Sequence, residues 1–259
     1  HYPLRRQRQM CIRDRIFGAA ISAEASSLWN AVESDREHSQ RRSQVAVLRD
    51  TCLRIDTPDL ILNSAFAFAK LRAAESLFET KMGLVHSPGG GRYYGGVWNN
   101  DQCEYSGPLF GYLGDEDAKI AALTAYRNFA SYMTTEYKPI PTSLEMEGTI
   151  PYHAGGDRGD AAMYAGGASR FALTTGDKAI AEELYPHIVW CLEFCKRKTN
   201  AQGVVESDTD ELEGRFPTGT ANLSTSCLAY DAYRRAADLA RSLDKSEDAA
   251  DYDARADHL

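Results

Sequence analysis

FGYLGDEDAKIAALTAYRNFASYM, residues 110–133, ends one helix, turns at Gly114-Asp115 and begins another helix. Glycine accepts the left-handed conformation that terminates a helix, and aspartate then caps the helix that follows. The segment FALTTGDKAIAEELYPHIVWCLEFC, residues 171–195, repeats this pattern at Gly176-Asp177, and residues 239–256 repeat it more loosely at Leu243-Asp244. The turns are about sixty to seventy residues apart, so each unit is predicted to be a helical hairpin followed by a long loop.

A further helix precedes these hairpins, in DTPDLILNSAFAFAKLRAAESLFE at residues 56–79. Thr57 is placed to cap it, and Pro58 is suited to its first position. Apolar residues line two sides of this helix, which predicts that both sides are buried. With the hairpins, this segment predicts an all-α domain.

The composition limits the kinds of partner. The chain has 259 residues, of which 43% are hydrophobic, so it can bury a substantial core. Its net charge is −8 although residues 1–15, HYPLRRQRQMCIRDR, are strongly basic, so the rest is more acidic still. Such a chain lacks the positive surface that tracks phosphates, which argues against a nucleic-acid partner. No stretch approaches 18 consecutive apolar residues, so we expect no membrane span.

The six cysteines form no metal-binding pattern, since the sequence has neither a Cys-x-x-Cys pair nor a Cys/His quartet. Cys191 and Cys195 lie four residues apart on one helix face, which is typical of small buried side chains. We therefore expect no metal site. We expect no cofactor either, because GGG at 89–91 lacks the lysine and the Ser/Thr of a phosphate loop.

Three long loops, residues 85–101, 137–160 and 200–219, hold most of the glycine, proline, aromatic and acidic residues. Loops of this length are usually functional or disordered, and their aromatic content argues against disorder. All three are on the opposite end of the hairpins from the tight Gly-Asp turns. A pocket is therefore predicted at the end where the long loops converge.

The first loop ends in VWNNDQCEY, residues 97–105, which brings one tryptophan together with amides and carboxylates. One interpretation is structural: Asn100 or Asp101 caps the next helix, and Trp98 packs. The other is a sugar subsite, because a sugar has apolar ring faces and a rim of hydroxyl groups. An aromatic ring such as Trp98 can stack on those faces, and side chains such as Glu104 can bond to the rim.

The third loop contains ESDTDELEGRF, residues 206–216, with five carboxylates within eight residues. A solvated acidic loop would explain them, and a calcium loop is disfavoured because the glycine spacing of an EF-hand is missing. A third interpretation is an acid for glycosidic cleavage, because crowded negative charge keeps a carboxyl protonated near neutral pH.

The second loop ends in GGDRGD, residues 155–160, just before another predicted helix. Asp157 or Asp160 is suited to cap that helix. Arg158 could hold a substrate hydroxyl or pair with a catalytic carboxylate.

The order of these features resembles the six-hairpin glycosidases, the (α/α)6-toroid superfamily that includes glycogen-debranching enzymes, trehalases, alpha-L-rhamnosidases and maltose phosphorylases. VWNNDQCEYSGPLFGYLGD, residues 97–115, is similar to their segment in which Trp and Asp precede an inner helix and line the sugar subsite. DTDELEG at 208–214, followed by NLSTSCLAYDAY at 222–233, resembles the Asp-Glu acid motif of the phosphorylases and the helix start after it.

This resemblance implies that Glu211 is the general acid, with Asp210 beside it. DELEG departs from the full phosphorylase motif, so Asp208, Asp210 and Glu213 stay open as alternatives for that role. By the same resemblance and the chemistry above, we expect the substrate contacts to come from Trp98, Asn100, Asp101, Glu104 and Arg158.

The resemblance covers roughly residues 55–259 and implies an incomplete (α/α)6 toroid of helical hairpins, about half of the ring, as the N-terminal part of a catalytic domain truncated at its C-terminus. Residues 16–54 resemble a linker and helix leading into it. Residues 1–15 resemble translated sequencing-adapter sequence and are expected to be non-native. The general base usually comes from later hairpins in these families, so this chain alone is expected to be inactive.

The function expected of the parent protein is inverting hydrolysis of an oligosaccharide or glycoside, with neither nucleic acid nor membrane as partner. Three alternatives stay open. A glycoside phosphorylase would use the same acid but would need a phosphate pocket. A terpenoid-cyclase-like toroid would need an almost wholly aromatic pocket, and a non-catalytic helical scaffold would need no aromatic-acidic clusters.

Overall fold

The structure, a computed structural model, describes residues 31–50, 52–87, 95–145, 150–153, 155–211 and 215–259, and most of these residues are helical. The α helices are α1 (Ala31–Asp50), α2 (Leu60–Ala74), α3 (Gly107–Leu113), α4 (Glu116–Ala130), α5 (Asp160–Thr175), α6 (Lys178–Lys198), α7 (Leu223–Ser242) and α8 (Ser246–His258). The strands are β1 (Leu77–Thr80), β2 (Gly83–His86), β3 (Gly96–Trp98), β4 (Ser143–Glu145) and β5 (Pro151–Tyr152).

The turns inside the hairpins follow the predicted chemistry. Gly114 ends α3 with φ +76°, and the Asp115 carboxylate then caps α4. Gly176 ends α5 with φ +62°, and the Asp177 carboxylate accepts the first free amides of α6. In the third hairpin Asp244 itself adopts φ +59°, which aspartate tolerates better than most residues. The predicted all-α class and hairpin repeat are confirmed.

The three hairpins pack in two layers. Helices α3, α5 and α7 contact one another in sequence order, whereas α4, α6 and α8 each pack against the first helix of their own hairpin. This is the arrangement of successive hairpins in an (α/α) toroid. Because every hairpin runs in the same direction, the long loops enter α3, α5 and α7 at one common end.

Helix α2 departs from the sequence prediction in two respects. Its cap is Asp59, which accepts the amides of Ile61 and Leu62, and not Thr57. The prediction of burial on both sides is also wrong, because only Lys70 and Ala74 are buried in this helix. The polar helix α1 packs against α2. Leu71 and Ala73 near the end of α2 pack against the core, whereas Leu60, Ile61, Leu62 and Phe68 are exposed.

Two small antiparallel sheets support the first two long loops. Strands β1 and β2 form a hairpin that lies against α4. Strand β4 is the centre of the second sheet, with Trp98 of β3 opposite Ser143 and Tyr152 of β5 on the other side of Ser143. This sheet joins the segment that precedes Asp101 and Glu104 to the segment that precedes Arg158.

Four cysteines agree with the prediction of small buried side chains: Cys52, Cys103, Cys191 and Cys195 are buried free thiols, whereas Cys227 is exposed. Within the described ranges, no three His, Cys, Asp or Glu residues are grouped to hold a metal ion. None of the described helices is both long enough and apolar enough to cross a bilayer.

Helix α5 lies very close to residues 101–106 at Gly167. A Cβ atom at this position would lie 2.3 Å from the backbone oxygen of Cys103 and 2.6 Å from its Cα. The neighbouring Gly166 has more room, since its Cβ would meet nothing nearer than 3.5 Å. Position 167 therefore requires glycine so that α5 can lie against residues 101–106.

We expect Gly167→Ala to destabilise the fold by roughly 2–3 kcal/mol, because backbone must move to admit the methyl group. Gly166→Ala is the matched control in the same helix. It should be neutral or stabilising by about 0.5–1 kcal/mol, because alanine favours helix over glycine. Urea unfolding midpoints measure both, and equal midpoints would contradict the proposed close packing.

Candidate active site

The first part of the site is a π-helical segment, Asp101–Ser106, that leads directly into α3. Its wide turn is closed by the amide of Gly107, which donates to the Gln102 carbonyl five residues earlier. The Ser106 hydroxyl donates to the Asp101 carbonyl at 2.9 Å. Such π-helical turns occur frequently at functional sites.

The helix-cap interpretation fails for Asn100. This residue precedes the π-helical segment with helical dihedral angles and makes no capping hydrogen bond through its side chain. Its Oδ1 atom is instead buried and has no hydrogen-bond partner within the described part of the chain. The Asn100 side chain therefore does not cap the π-helical segment.

The second part of the site is a buried ion pair at the start of α5. Arg158 is fully buried, and its Nη2 donates to Oδ1 of Asp160 at 2.8 Å. The side-chain amide of Asn99 donates to the Asp160 carbonyl at 2.9 Å. These contacts join the segment before the acidic π-helical turn to the segment that carries Arg158.

The predicted aspartate caps of α5 are wrong. Gly159 precedes the helix in the left-handed conformation, with φ +90° and no side-chain cap. Asp160 is committed to Arg158, and Asp157 accepts the Gly159 amide at 3.0 Å in the turn before the helix. Glycine is needed at 159 because the chain reverses there to bury Arg158.

Trp98 lies on this ion pair. The Arg158 guanidinium is 5.9 Å from the centre of the Trp98 ring, and Tyr152 of β5 contacts the same ring edge-on at 6.2 Å. Trp98 is only half-buried, and Tyr152 is exposed. The cation and the neighbouring ring therefore hold the indole in place.

The third part of the site is the Glu211 carboxyl, which lies within hydrogen-bonding reach of Glu104. Burial raises the pKa of Glu104 to about 8, and the hydrogen bond to Glu211 and the charge of Glu211 add to this effect. Arg170 and Arg158 oppose the rise through their positive charges. Glu104 is consequently protonated at neutral pH.

The buried oxygens of this pair support the same protonation state. Oε2 of Glu104 and Oε1 of Glu211 are both buried, and no other described group donates to either of them. Two ionised carboxylates would only repel each other, because both are acceptors. One proton held between them relieves the repulsion, as in paired carboxylates elsewhere.

Asp101 lies in the same electrostatic environment. Burial raises its pKa, the charge of Glu211 raises it further, and Arg158 opposes the rise. Tyr105, which follows Glu104 in the π-helical segment, has its pKa raised by burial and by the three carboxyls. The structure thus brings together residues from all three long loops around one acidic cluster.

The other candidate acids of the third loop have different surroundings. Asp210 is half-buried. The charge that raises the pKa of Glu104 and Asp101 is that of its neighbour Glu211. Asp208 accepts the amide of Asp157 at 2.8 Å. Glu213 lies outside the described residues.

Sequence reasoning missed Tyr105, Tyr152 and Arg170 as members of this site. Tyr105 lies inside the cluster that drew attention to the first loop, and it is exposed beside the carboxyls. Arg170 lies within α5 and forms an ion pair with Asp231 of α7 at 2.9 Å. Nothing in the sequence distinguishes that arginine from other arginines on exposed helix faces.

The isolated histidine of the first loop, His86, is structural. Burial lowers its pKa to about 4. It packs edge-on against Phe110 at 5.4 Å, and Gln102 donates to its backbone carbonyl at 3.1 Å. His86 therefore supports the π-helical segment through its contacts with Gln102 and Phe110.

Comparison with known proteins adds little to this geometry. No protein-family model matches the chain, and no curated protein matches it. Among solved structures it is similar to an alpha-L-rhamnosidase from Dictyoglumus thermophilum, at 17% sequence identity and a TM-score of 0.41. The match covers 62% of this chain and 18% of that chain, so this chain spans less than a fifth of its length. So distant a likeness carries no functional argument.

We predict that the Glu104 carboxyl titrates near pH 8 and that Glu211→Gln lowers this midpoint. The variant removes the negative charge that disfavours ionisation of Glu104, while burial keeps the midpoint above its ordinary value of 4.5. Carbon-13 NMR of side-chain-labelled glutamate measures the titration, and the resonance lost in Glu104→Gln identifies the group. A wild-type midpoint near 4.5 would contradict the shared proton.

The same carboxyl should make stability depend on pH. The folded protein holds this proton up to about pH 8, whereas the unfolded chain releases it near 4.5, so the free energy of unfolding should fall as pH rises between these values. Because the carboxyl is only half-buried and solvent screens it, we expect a loss on the order of 1–2 kcal/mol. Glu104→Gln should remove that loss in urea melts across this range. Parallel curves for wild type and variant would be inconsistent with the assignment.

Proposed function

We propose that the protein binds a carbohydrate at this site and carries the general acid of a glycoside hydrolase. The observation that supports this most is the Glu104–Glu211 pair, which keeps one exchangeable proton on a carboxyl at neutral pH. Cleaving a glycosidic bond requires such a proton, because the departing oxygen is a poor leaving group until it is protonated.

The remaining groups suit a sugar ring. Asn100 Oδ1 is a buried acceptor without a donor in the described part of the chain, and a sugar hydroxyl group would supply one. Trp98 is a neighbouring aromatic ring held in place by Arg158. In this proposal Asn100, Asp101 and Glu104 bind the sugar hydroxyls, and Trp98 stacks on the ring.

Glu104 and Glu211 act as one acid in the proposed mechanism. Glu104 holds the proton when the site is empty. Glu211, with Asp210 beside it, is the carboxyl that reaches the glycosidic oxygen, and it takes the proton from Glu104 and passes it to that oxygen. As the bond to the leaving oxygen breaks, that oxygen takes the proton and the pair is left with two negative charges. Those charges stabilise the positive character that develops on the sugar in the transition state.

Inverting hydrolysis also needs a carboxylate that activates water on the opposite face of the sugar, about 6.5–9.5 Å from the acid. We assign no such base among the described residues. The proposal for this chain is therefore the sugar-binding and acid half of the site, and hydrolysis belongs to a protein that carries both halves.

Binding can be tested on this chain directly. We expect cationic piperidine iminosugars, in gluco, galacto, manno and rhamno configuration, to include a ligand that quenches tryptophan fluorescence. Titration calorimetry should then show that binding is lost in Asp101→Asn and Trp98→Ala. Binding should be retained in Asp177→Ala, which removes the carboxylate that caps α6 at the opposite end of the hairpins. If no iminosugar and no neutral sugar binds, the carbohydrate proposal fails.

Leaving-group dependence tests the acid in a protein with a complete catalytic domain. Glu211→Gln should lower kcat/KM roughly 10²–10⁴-fold on a natural glycoside and far less on an activated aryl glycoside, which leaves without protonation. Asp101→Asn should affect both substrates alike, because a lost sugar contact is common to both transition states. If Asp101→Asn alone shows the leaving-group dependence, the two roles must be exchanged.

A further inference from the structure

The loop that carries Glu211 is fastened to the loop that carries Arg158 by a reciprocal set of hydrogen bonds. The Asp157 amide donates to the Asp208 carboxylate at 2.8 Å. In return, the amides of Asp208 and Thr209 donate to the Asp157 carbonyl at 2.9 and 3.1 Å. We define these three bonds as the Asp157–Asp208 clip.

The backbone around the clip is shaped to admit the Asp208 side chain. Gly156 adopts φ +88°, and a Cβ atom there would lie 2.5 Å from Oδ2 of Asp208. The Asp157 carboxylate faces the other way and accepts the Gly159 amide, which fixes the turn that leads into Arg158. The clip therefore sets the position of Arg158 relative to the third loop.

The other side of the third loop is anchored to the start of α7. The Ser207 hydroxyl pairs with the Thr225 hydroxyl at 2.8 Å and with the Thr209 carbonyl at 3.0 Å. The side-chain amide of Asn222 donates to the Ser207 hydroxyl at 3.0 Å. Residues 207–209 are therefore held on both sides. The backbone that leads to Glu211, two residues later, is anchored by these bonds.

We propose that Asp208 is a positioning residue, whose carboxylate sets the placement of Glu211 against Glu104 and Arg158 through the clip. This inference rests on the proposed function, because it names the device that assembles the proposed acid. It also gives Asp208, one of the acidic candidates of the third loop, a role other than proton donor. A backbone amide is its partner, so an uncharged acceptor of the same shape can replace the carboxylate.

The test compares Asp208→Ala with Asp208→Asn. Asparagine keeps an oxygen acceptor for the Asp157 amide, whereas alanine leaves that amide without its partner. Asp177→Ala is the matched control: it also removes a carboxylate that accepts backbone amides, but at the far end of α6. All three variants are measured for thermal stability, for the Glu104 carboxyl titration and for binding of the iminosugar series.

With Asp208→Ala, Glu211 should move away from Glu104, so the Glu104 midpoint should fall by about one pH unit or more. Iminosugar affinity should drop roughly tenfold or more, because the displaced Glu211 carboxylate no longer lies beside the bound cation. Asp208→Asn should restore both properties to near wild type. Asp177→Ala should lower thermal stability while leaving both unchanged.

The inference is overturned if Asp208→Ala leaves the Glu104 titration as in the wild type, or if Asp208→Asn is as defective as Asp208→Ala. Failure of the proposed function gives a different result. In that case the wild-type protein binds no iminosugar, while the Glu104 titration still distinguishes the two Asp208 variants and supports the positioning role.

Discussion

The buried ion pair between Arg158 and Asp160 is the contact on which the candidate site depends. Neither charge can be left alone in the core, since breaking a buried pair costs about 3–5 kcal/mol. The pair sits at the first turn of α5 and also receives the side chain of Asn99, so it fixes the first loop against the second. Trp98 rests on its guanidinium. These contacts place the acidic π-helical segment beside the third loop.

The carboxyl cluster beside that ion pair lowers the stability of the folded protein. Burial raises the pKa of Glu104 and Asp101, and the nearby charge of Glu211 raises both further. The nearest arginines are each engaged by another aspartate: Arg158 by Asp160 and Arg170 by Asp231. Positive charge therefore limits the repulsion without fully neutralising the carboxyls. In the proposed function, the proton held by these carboxyls is the one that the glycosidic oxygen takes as the bond breaks.

Local chemistry explains which parts of this structure could be predicted from sequence. The Gly114-Asp115 and Gly176-Asp177 turns were predictable, because helix termination and capping depend on a few adjacent residues. The convergence of Trp98, Arg158 and Glu211 followed from the hairpin repeat. The role of Asp160 was not predictable, because its partner depends on how Gly159 turns the chain. The exposure of α2 was also not predictable, since an apolar pattern does not reveal which elements are present to cover it. The site assignments themselves remain predictions.

The most direct test of the central claim is a crystal structure of the protein grown near pH 7 with a bound iminosugar. The account predicts that the ring lies against Trp98 with its hydroxyl groups on Asn100 and Asp101. It also predicts a Glu104–Glu211 separation, oxygen to oxygen, as short as a hydrogen bond, about 2.5–2.7 Å for a charge-assisted carboxyl pair. A ligand bound elsewhere, or two carboxyls turned apart and separately solvated, would contradict it.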